Sequence, residues 1–274
     1  VSQQNDSREK RTLRLLSFNI QAGTTTARYR HYVTHSWRQV LPHSGRIENL
    51  DAISEFVSAF DMVGLQEADS GSLRSGFINQ SKYIAAHAGM PFWCHQSNRK
   101  VGSVAYAGNG FLSRFEPDAV EEHRLPGVIP GRGTLLARFG SGSNGLDIAV
   151  VHLALGKRAR AQQLKFLSRE LDSGRHLVVM GDFNTSAGSE LVRDFCETMA
   201  LTAPTDGLAS YPAWQPQRAI DHILVSDSLS ARTARVCDAP FSDHLPIALE
   251  IDWPEGLELP AARPVITVES DGWV

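Results

Sequence analysis

The 274-residue chain is 42% hydrophobic, enough for a large core that needs no covalent staples, and no apolar run approaches the ~20 residues required to cross a bilayer. Its 27 basic and 30 acidic residues give a formal charge of −3, which excludes a general affinity for polyanions and leaves any nucleic-acid contact to a local patch. Cys94, Cys196 and Cys237 are odd in number and lack Cys-x-x-Cys spacing, which argues against a disulfide framework and a zinc-thiolate centre.

Buried, reduced cysteines fit a reducing compartment, so the chain is expected to be cytoplasmic; it is separately expected to be a monomer. Residues 1–12 are polar and charged, with no apolar signal-peptide core, and read as a loosely held arm. Residues 13–20 form a first strand that ends at Asn19. Residues 24–46 contain no acid but carry Arg28, Arg30, Arg38 and Arg46, three histidines, Tyr29, Tyr32 and Trp37. Ile47, Leu50, Ile53, Phe56 and Val57 then recur at helical spacing, so 46–59 is an amphipathic helix. A second strand, 61–66, leads to Glu67.

A helix at about 77–88 and a strand near 92–95 follow. Gly108-Asn109-Gly110-Phe111 opens another strand-like segment. Two strands, about 118–125 and 133–139, flank a loop containing Arg132 between Gly131 and Gly133. Residues 146–153 are a near-continuous apolar strand carrying His152. The segment 157–171 reads as a helix with Leu164, Phe166 and Leu167 inward and basic residues outward. The run Leu177-Val178-Val179-Met180 reads as a buried strand closed by glycine, and it delivers Asp182 and Asn184. A short helix, 190–199, and a Pro- and aromatic-rich loop, 204–217, precede strands at 220–225, 231–236 and 245–252. Residues 254–274 form a surface tail. No repeat or composition break marks a linker, so 13–253 reads as one α/β domain. Gly140 to Gly145 spells G-x-G-x-x-G, but a dinucleotide loop must open a helix. This one opens a strand and reads as a hairpin turn.

The strand ends share one property. Asn19, Glu67, His152, Asp182 with Asn184, Asp221, and Asp243 with His244 each place a carboxylate, carboxamide or imidazole where an apolar run stops. Asp182 can accept a proton from water, and Asn184 can orient a nucleophile or hold an oxyanion. Each motif alone is ordinary turn or capping chemistry. In order, from about residue 13 to 252, the set resembles the endonuclease/exonuclease/phosphatase superfamily of metal-dependent phosphoesterases.

That resemblance implies a four-layer sandwich, with two mixed sheets packed face to face and helices outside. It also implies Mg²⁺ or Mn²⁺ held by Glu67, Asn19 and Asp243, whose hard oxygen donors suit such ions. His244 is expected to contact the phosphoryl group, with Asp221 fixing its tautomer, and His152 to assist. His222, one residue after Asp221 on a strand, should face away. Asn109 and Arg132 are expected to line the site. Gln21, two residues after Asn19, stands where several relatives have a polar or acidic metal-side residue, and its neutral amide argues against a second tightly held metal.

The implied substrate is a phosphate ester: a nucleic acid, a nucleotide or, alternatively, a phospholipid or inositol-type headgroup. Arg28, Arg30, Trp37 and Arg38 are expected to hold its non-reacting part. A non-catalytic module on the same fold is the competing class, but such a module should have lost part of this set.

Overall fold

The computed structural model describes residues 11–23, 44–101, 105–127 and 131–260. The proposed arm residues Arg28, Arg30, Trp37 and Arg38 lie outside the described residues, as do 1–10 and most of the C-terminal tail. In chain order the elements are β1 (Thr12–Asn19), α1 (Ser44–Val57), β2 (Met62–Asp69), α2 (Gln80–His87), β3 (Phe92–Val101) and β4 (Ala105–Ser113). They continue with β5 (Ala119–Arg124), β6 (Gly133–Phe139), β7 (Leu146–His152), α3 (Lys157–Glu170), β8 (His176–Asp182) and α4 (Glu190–Met199). The last four are β9 (Leu201–Thr202), β10 (Asp221–Ser226), β11 (Ala231–Val236) and β12 (Ile247–Asp252). Short 3₁₀ turns cover Gln21–Gly23, Leu73–Ser75 and Gly142–Asn144.

The strands form two six-stranded mixed sheets, ordered β11-β12-β1-β2-β4-β3 and β5-β6-β7-β8-β10-β9. Their inner faces meet through Leu13, Leu15, Met62, Phe111, Val150, Val178, Met180, Ile223 and Leu249. The sheets approach closely at Gly64, where an added Cβ would lie 3.0 Å from side-chain atoms of Met180 and Val150. Outside the first sheet, Leu16 and Phe18 pack against Leu50, Ile53 and Val57 of α1 and Ile84 of α2. Outside the second, Val179 packs with Leu164 and Leu167 of α3 and Phe195 of α4. The result is the expected helix–sheet–sheet–helix sandwich. Truncating a side chain at its centre, such as Met180, removes contacts from both sheets and costs about 2–5 kcal/mol. Among the described residues, no helix is long and apolar enough to cross a membrane.

Side-chain alternation along the strands then decides where the polar strand ends point. In β1, Leu13 and Leu15 face the other sheet, so Ser17 and Asn19 do too. In β8, Val178 and Met180 face inward, which carries Asp182 inward. Ile148 and Val150 do the same for His152, and Ile223 and Val225 for Asp221. His222 turns to the helix layer, where its ring packs edge-on against Phe183 and its Nε2 pairs with the Thr185 carbonyl oxygen.

Some elements differ from the sequence expectation. The helix near 77–88 begins at Gln80, because Phe77 is in a left-handed conformation and Asn79 caps the helix by accepting from the Lys82 N–H. Strand β3 runs on to Val101 because its polar half still pairs with β4 as far as Ala105, across a register shift between Ser97 and Arg99. The G-x-G-x-x-G stretch is the turn of the β6–β7 hairpin, as expected.

Candidate active site

Strand register sets the first row of the site. Parallel β7 and β8 place His152 opposite Asp182, and antiparallel β10 places Asp221 opposite Asp182 from the other side. These three residues therefore stand abreast on one face, at roughly the interstrand spacing of ~4.8 Å. The close fit of β7 to β8 requires Gly181, since a Cβ there would lie 1.9 Å from the Val151 carbonyl oxygen.

Glu67 arrives by a different route. It follows Val63 and Leu65 in parity, and unbroken alternation would turn it toward the helices. The β2–β4 register instead slips between Leu65 and Ala68, and Glu67 adopts φ 56°. This bulge re-aims the side chain. Its carboxylate is 38% exposed and lies 4.0 Å from His152 Nε2.

The site centres on one buried oxygen, Oδ2 of Asp182. Asn19 Nδ2 donates to it over 3.2 Å, His152 Nε2 is 3.4 Å away and His244 Nε2 is 4.0 Å away. The other oxygen accepts from the Asn184 N–H at 2.8 Å. Asn184 is left-handed at φ 53°, and its Nδ2 donates to the Leu153 carbonyl at 3.0 Å.

On one flank, His244 Nδ1 donates to Asp221 Oδ2 at 2.8 Å, and that same oxygen accepts from Ser210 Oγ at 2.5 Å. The Tyr211 ring packs 4.8 Å from the His244 ring. On the other flank, the Arg132 guanidinium donates to His152 Nδ1 at 2.8 Å. That bond fixes the His152 tautomer with its proton on Nε2, facing Asp182 and Glu67.

Asp243 is tied to β1 rather than to the imidazoles. Its Oδ2 accepts from Gln21 Nε2 at 3.1 Å, and Gln21 N in turn donates to Asn19 Oδ1 at 3.2 Å. Ser242 Oγ closes the same corner on the Asn19 carbonyl at 2.7 Å.

The electrostatics follow from packing four carboxylates beside few cations. Burial pushes Asp182 up to about 7, helped by Asp221 and Glu67 and opposed by His244. Burial alone would lower His244, but the charge and hydrogen bond of Asp221, then Asp182 and Asp243, outweigh it and raise the imidazole to about 10. Asp243 is raised by burial and by Glu67. His152 is held well below the ordinary histidine range by burial, by Arg132 and by His244. The surroundings thus favour the imidazolium form of His244, the neutral form of His152 and proton uptake by Asp182.

Of the residues expected from sequence, the structure gathers Asn19, Glu67, Arg132, His152, Asp182, Asn184, Asp221, Asp243 and His244 at one end of the inter-sheet layer. Asn109 lies beneath them, fully buried, with Nδ2 donating to the Gly133 and Val150 carbonyls at 2.8 and 3.4 Å. It anchors the backbone beside Arg132. Gln21, Ser210, Tyr211 and Ser242 complete the site and carried no comparable signal in the sequence. The spacing of Gln21 from Asn19 was visible, but not its bond to Asp243.

The buried pair Asp221–His244 should act as a unit. His244→Ala is expected to lower turnover by about two to four orders of magnitude. Asp221→Asn should cost less, and the double variant no more than His244→Ala. Single-turnover rates of the three variants test this, and additive losses would separate the two roles.

Comparison with known proteins gives the same picture. No curated protein matches the chain. Among solved structures, an endonuclease/exonuclease/phosphatase from Beutenbergia cavernae superposes with a TM-score of 0.70 at 18% identity, covering 89% of this chain and 72% of its own. The mannosyl-6-phosphatase Bt3783 of Bacteroides thetaiotaomicron gives 0.63 at 17% identity, covering 88% and 100%. The human Nocturnin catalytic domain gives 0.64 at 19% identity, covering 88% and 94%. These likenesses concern the fold. The sequence itself matches the family model described as Endonuclease/Exonuclease/phosphatase family over residues 16–244, from the second half of β1 to His244, and the chain belongs to that family.

Proposed function

We propose that this protein is a divalent-metal-dependent phosphoester hydrolase that activates water for attack at phosphorus. The observation that carries the reading is Asp182. One buried carboxylate, poised to exchange a proton near neutral pH, stands between an oxygen-rich corner and an imidazolium. Family membership supports the reaction class, and one structural neighbour is a mannosyl-6-phosphatase.

The fit of a metal rests on donor chemistry. Asn19, Glu67 and Asp243 offer carboxylate and carboxamide oxygens, the set preferred by Mg²⁺ or Mn²⁺. Asp182, Asp221 and His244 also bring ligand atoms within 4.8 Å of one another. In that trio, however, His244 Nδ1 already donates to Asp221 Oδ2, and the pair suits proton handling better than ligation. We therefore assign the metal to the Asn19–Glu67–Asp243 corner. When bound there, the ion would neutralise phosphate charge and favour a nucleophilic water.

The chain's own groups supply the rest. Asp182 takes the proton from the attacking water, and Asn184 and Asn19 keep its oxygens oriented. His244, held by Asp221, presents Nε2–H to the charge that develops on the phosphoryl oxygens. His152 presents Nε2–H from the opposite side, its tautomer set by the donation from Arg132.

Hydrolysis of bis-p-nitrophenyl phosphate and of p-nitrophenyl phosphate, with Mn²⁺ or Mg²⁺ and with EDTA, tests the proposal and separates diesterase from monoesterase. Turnover with metal and its loss in EDTA is the expected result. No turnover of either ester with any divalent ion would favour the binding-module reading.

A further inference from the structure

His244 takes its orientation from Asp221, and Asp221 is itself held by a side chain that the mechanism does not yet use. Ser210 is fully buried. Its Oγ donates to Asp221 Oδ2 at 2.5 Å, the same oxygen that accepts from His244 Nδ1 at 2.8 Å. The other carboxylate oxygen, Oδ1, is buried and accepts from none of the described residues. Both donors therefore converge on one oxygen.

That arrangement has a geometric consequence. The last torsion of an aspartate has a broad well, so a single bond to His244 leaves the carboxylate free to turn and present either oxygen. A second donor on Oδ2, arriving from another segment, fixes the turn. It also shares the accepting capacity of that oxygen between hydroxyl and imidazole, so Asp221 draws less on the Nδ1 proton and Nε2–H remains the stronger donor.

The backbone sets where the hydroxyl stands. Ser210 N donates to the Arg218 carbonyl at 3.0 Å, and the Ser210 carbonyl accepts from Leu245 N at 2.8 Å. The first bond ties Ser210 to the segment that runs into β10 and Asp221, and the second ties it to the residue after His244. Ala213 N adds a bond to the Asp243 carbonyl at 2.7 Å, and the Tyr211 ring packs 4.8 Å from the imidazole. A serine hydroxyl commonly bonds to backbone within a few residues of itself. This one instead reaches the side chain 11 positions away that holds the catalytic imidazole.

We propose that Ser210 is a positioning residue: its hydroxyl locks the Asp221 carboxylate with Oδ2 toward His244 Nδ1, and so aims His244 Nε2–H at the phosphoryl group. This rests on the phosphoester-hydrolase reading and deepens it, making the pair Asp221–His244 a relay of three.

The test uses Ser210→Ala, which removes the hydroxyl, and Ser210→Cys, which keeps a similar shape with only a weak donor. With bis-p-nitrophenyl phosphate and Mn²⁺, kcat should fall about tenfold or more in both, as for the loss of one hydrogen bond to a charged group, while KM moves little. In a His244→Ala background the same substitutions should cost nothing further, because no imidazole is left to position. A second readout needs neither metal nor turnover. The downfield proton signal of the Asp221–His244 bond, identified by its loss in His244→Ala, should move further downfield in Ser210→Ala or vanish by solvent exchange, as the carboxylate accepts more strongly or turns away.

An equal loss of turnover in the wild-type and His244→Ala backgrounds, or unchanged kcat with an unmoved proton signal, overturns the role of Ser210. Because wild type still turns over in either case, the catalytic reading stands. A moved signal in a protein that hydrolyses neither p-nitrophenyl ester with any divalent ion keeps Ser210 as the residue that sets the pair and overturns the hydrolase reading instead.

Discussion

Asp182→Asn should lose about three orders of magnitude in turnover and yet, in EDTA at pH 8, melt at a higher temperature than wild type. The catalytic half follows from removing the group that takes the proton from water, a contribution of roughly 10²–10⁴. KM should move little, because the lost interaction belongs to the transition state.

The stability half follows from the sign of the shift. Asp182 is raised from an ordinary carboxylate value to about 7, so its contribution favours folding while it is protonated. That contribution is present below about pH 4 and is lost as pH rises through 7. At pH 8 without metal, the buried carboxylate is a liability, offset in part by His244. Asparagine removes the charge but keeps an oxygen for the Asn184 N–H and loses some of the bonding at Oδ2. A net gain of about 2 kcal/mol, or roughly 4–8 °C in Tm for a domain of this size, is expected. The gain should vanish near pH 4. Thermal melts of both proteins at pH 4, 6 and 8 in EDTA check it. A variant less stable than wild type by the same margin at every pH would mean that the carboxylate acts through its hydrogen bonds alone.

Most of this arrangement was legible in the sequence because strands alternate. Leu13 and Leu15, Val178 and Met180, or Ile223 and Val225 declare which face meets the other sheet, and the polar residue at the end of the run inherits that face. Asn19, His152, Asp182 and Asp221 could be placed this way, and His222 could be turned outward. Glu67 could not, since alternation points it at the helices, and a left-handed bulge that re-aims it leaves no mark in the letters Leu65-Gln66-Glu67.

Contacts between distant segments were equally silent. The Gln21–Asp243 bond spans 222 positions, and the donation from Arg132 fixes His152 through a loop whose path the sequence does not specify. Arg160 shows the limit of reading a helix by its faces. As one of several basic residues outward on an amphipathic segment it resembles ordinary surface charge. It sits, however, in the first turn, where its side chain folds back onto the carbonyls of Ala154 and Leu155 in the preceding loop. The charge pattern gives the face of a helix but not what stands at its end.

Glu67→Gln should separate metal binding from proton handling. The bulge at Glu67 delivers a partly exposed carboxylate whose charge helps to raise both Asp182 and Asp243. Without metal, that crowding is unfavourable, so the neutral variant should be at least as stable as wild type in EDTA at pH 8. With metal the order should reverse. Mn²⁺ at about 100 times its Kd should stabilise wild type by ~2.7 kcal/mol, a rise of roughly 5–10 °C in Tm. The glutamine keeps shape and a carbonyl oxygen but removes the charge that a hard cation values most, so at the same Mn²⁺ concentration most of that rise should disappear. Turnover on bis-p-nitrophenyl phosphate should fall by about 100-fold or more at limiting metal and recover in part at high Mn²⁺. Asp182→Asn should behave in the opposite way, with activity that no amount of metal restores. Melting curves and rates across a Mn²⁺ titration of the three proteins decide it. An unchanged metal-induced rise in Glu67→Gln would move the cation off this corner and onto the buried trio of Asp182, Asp221 and His244.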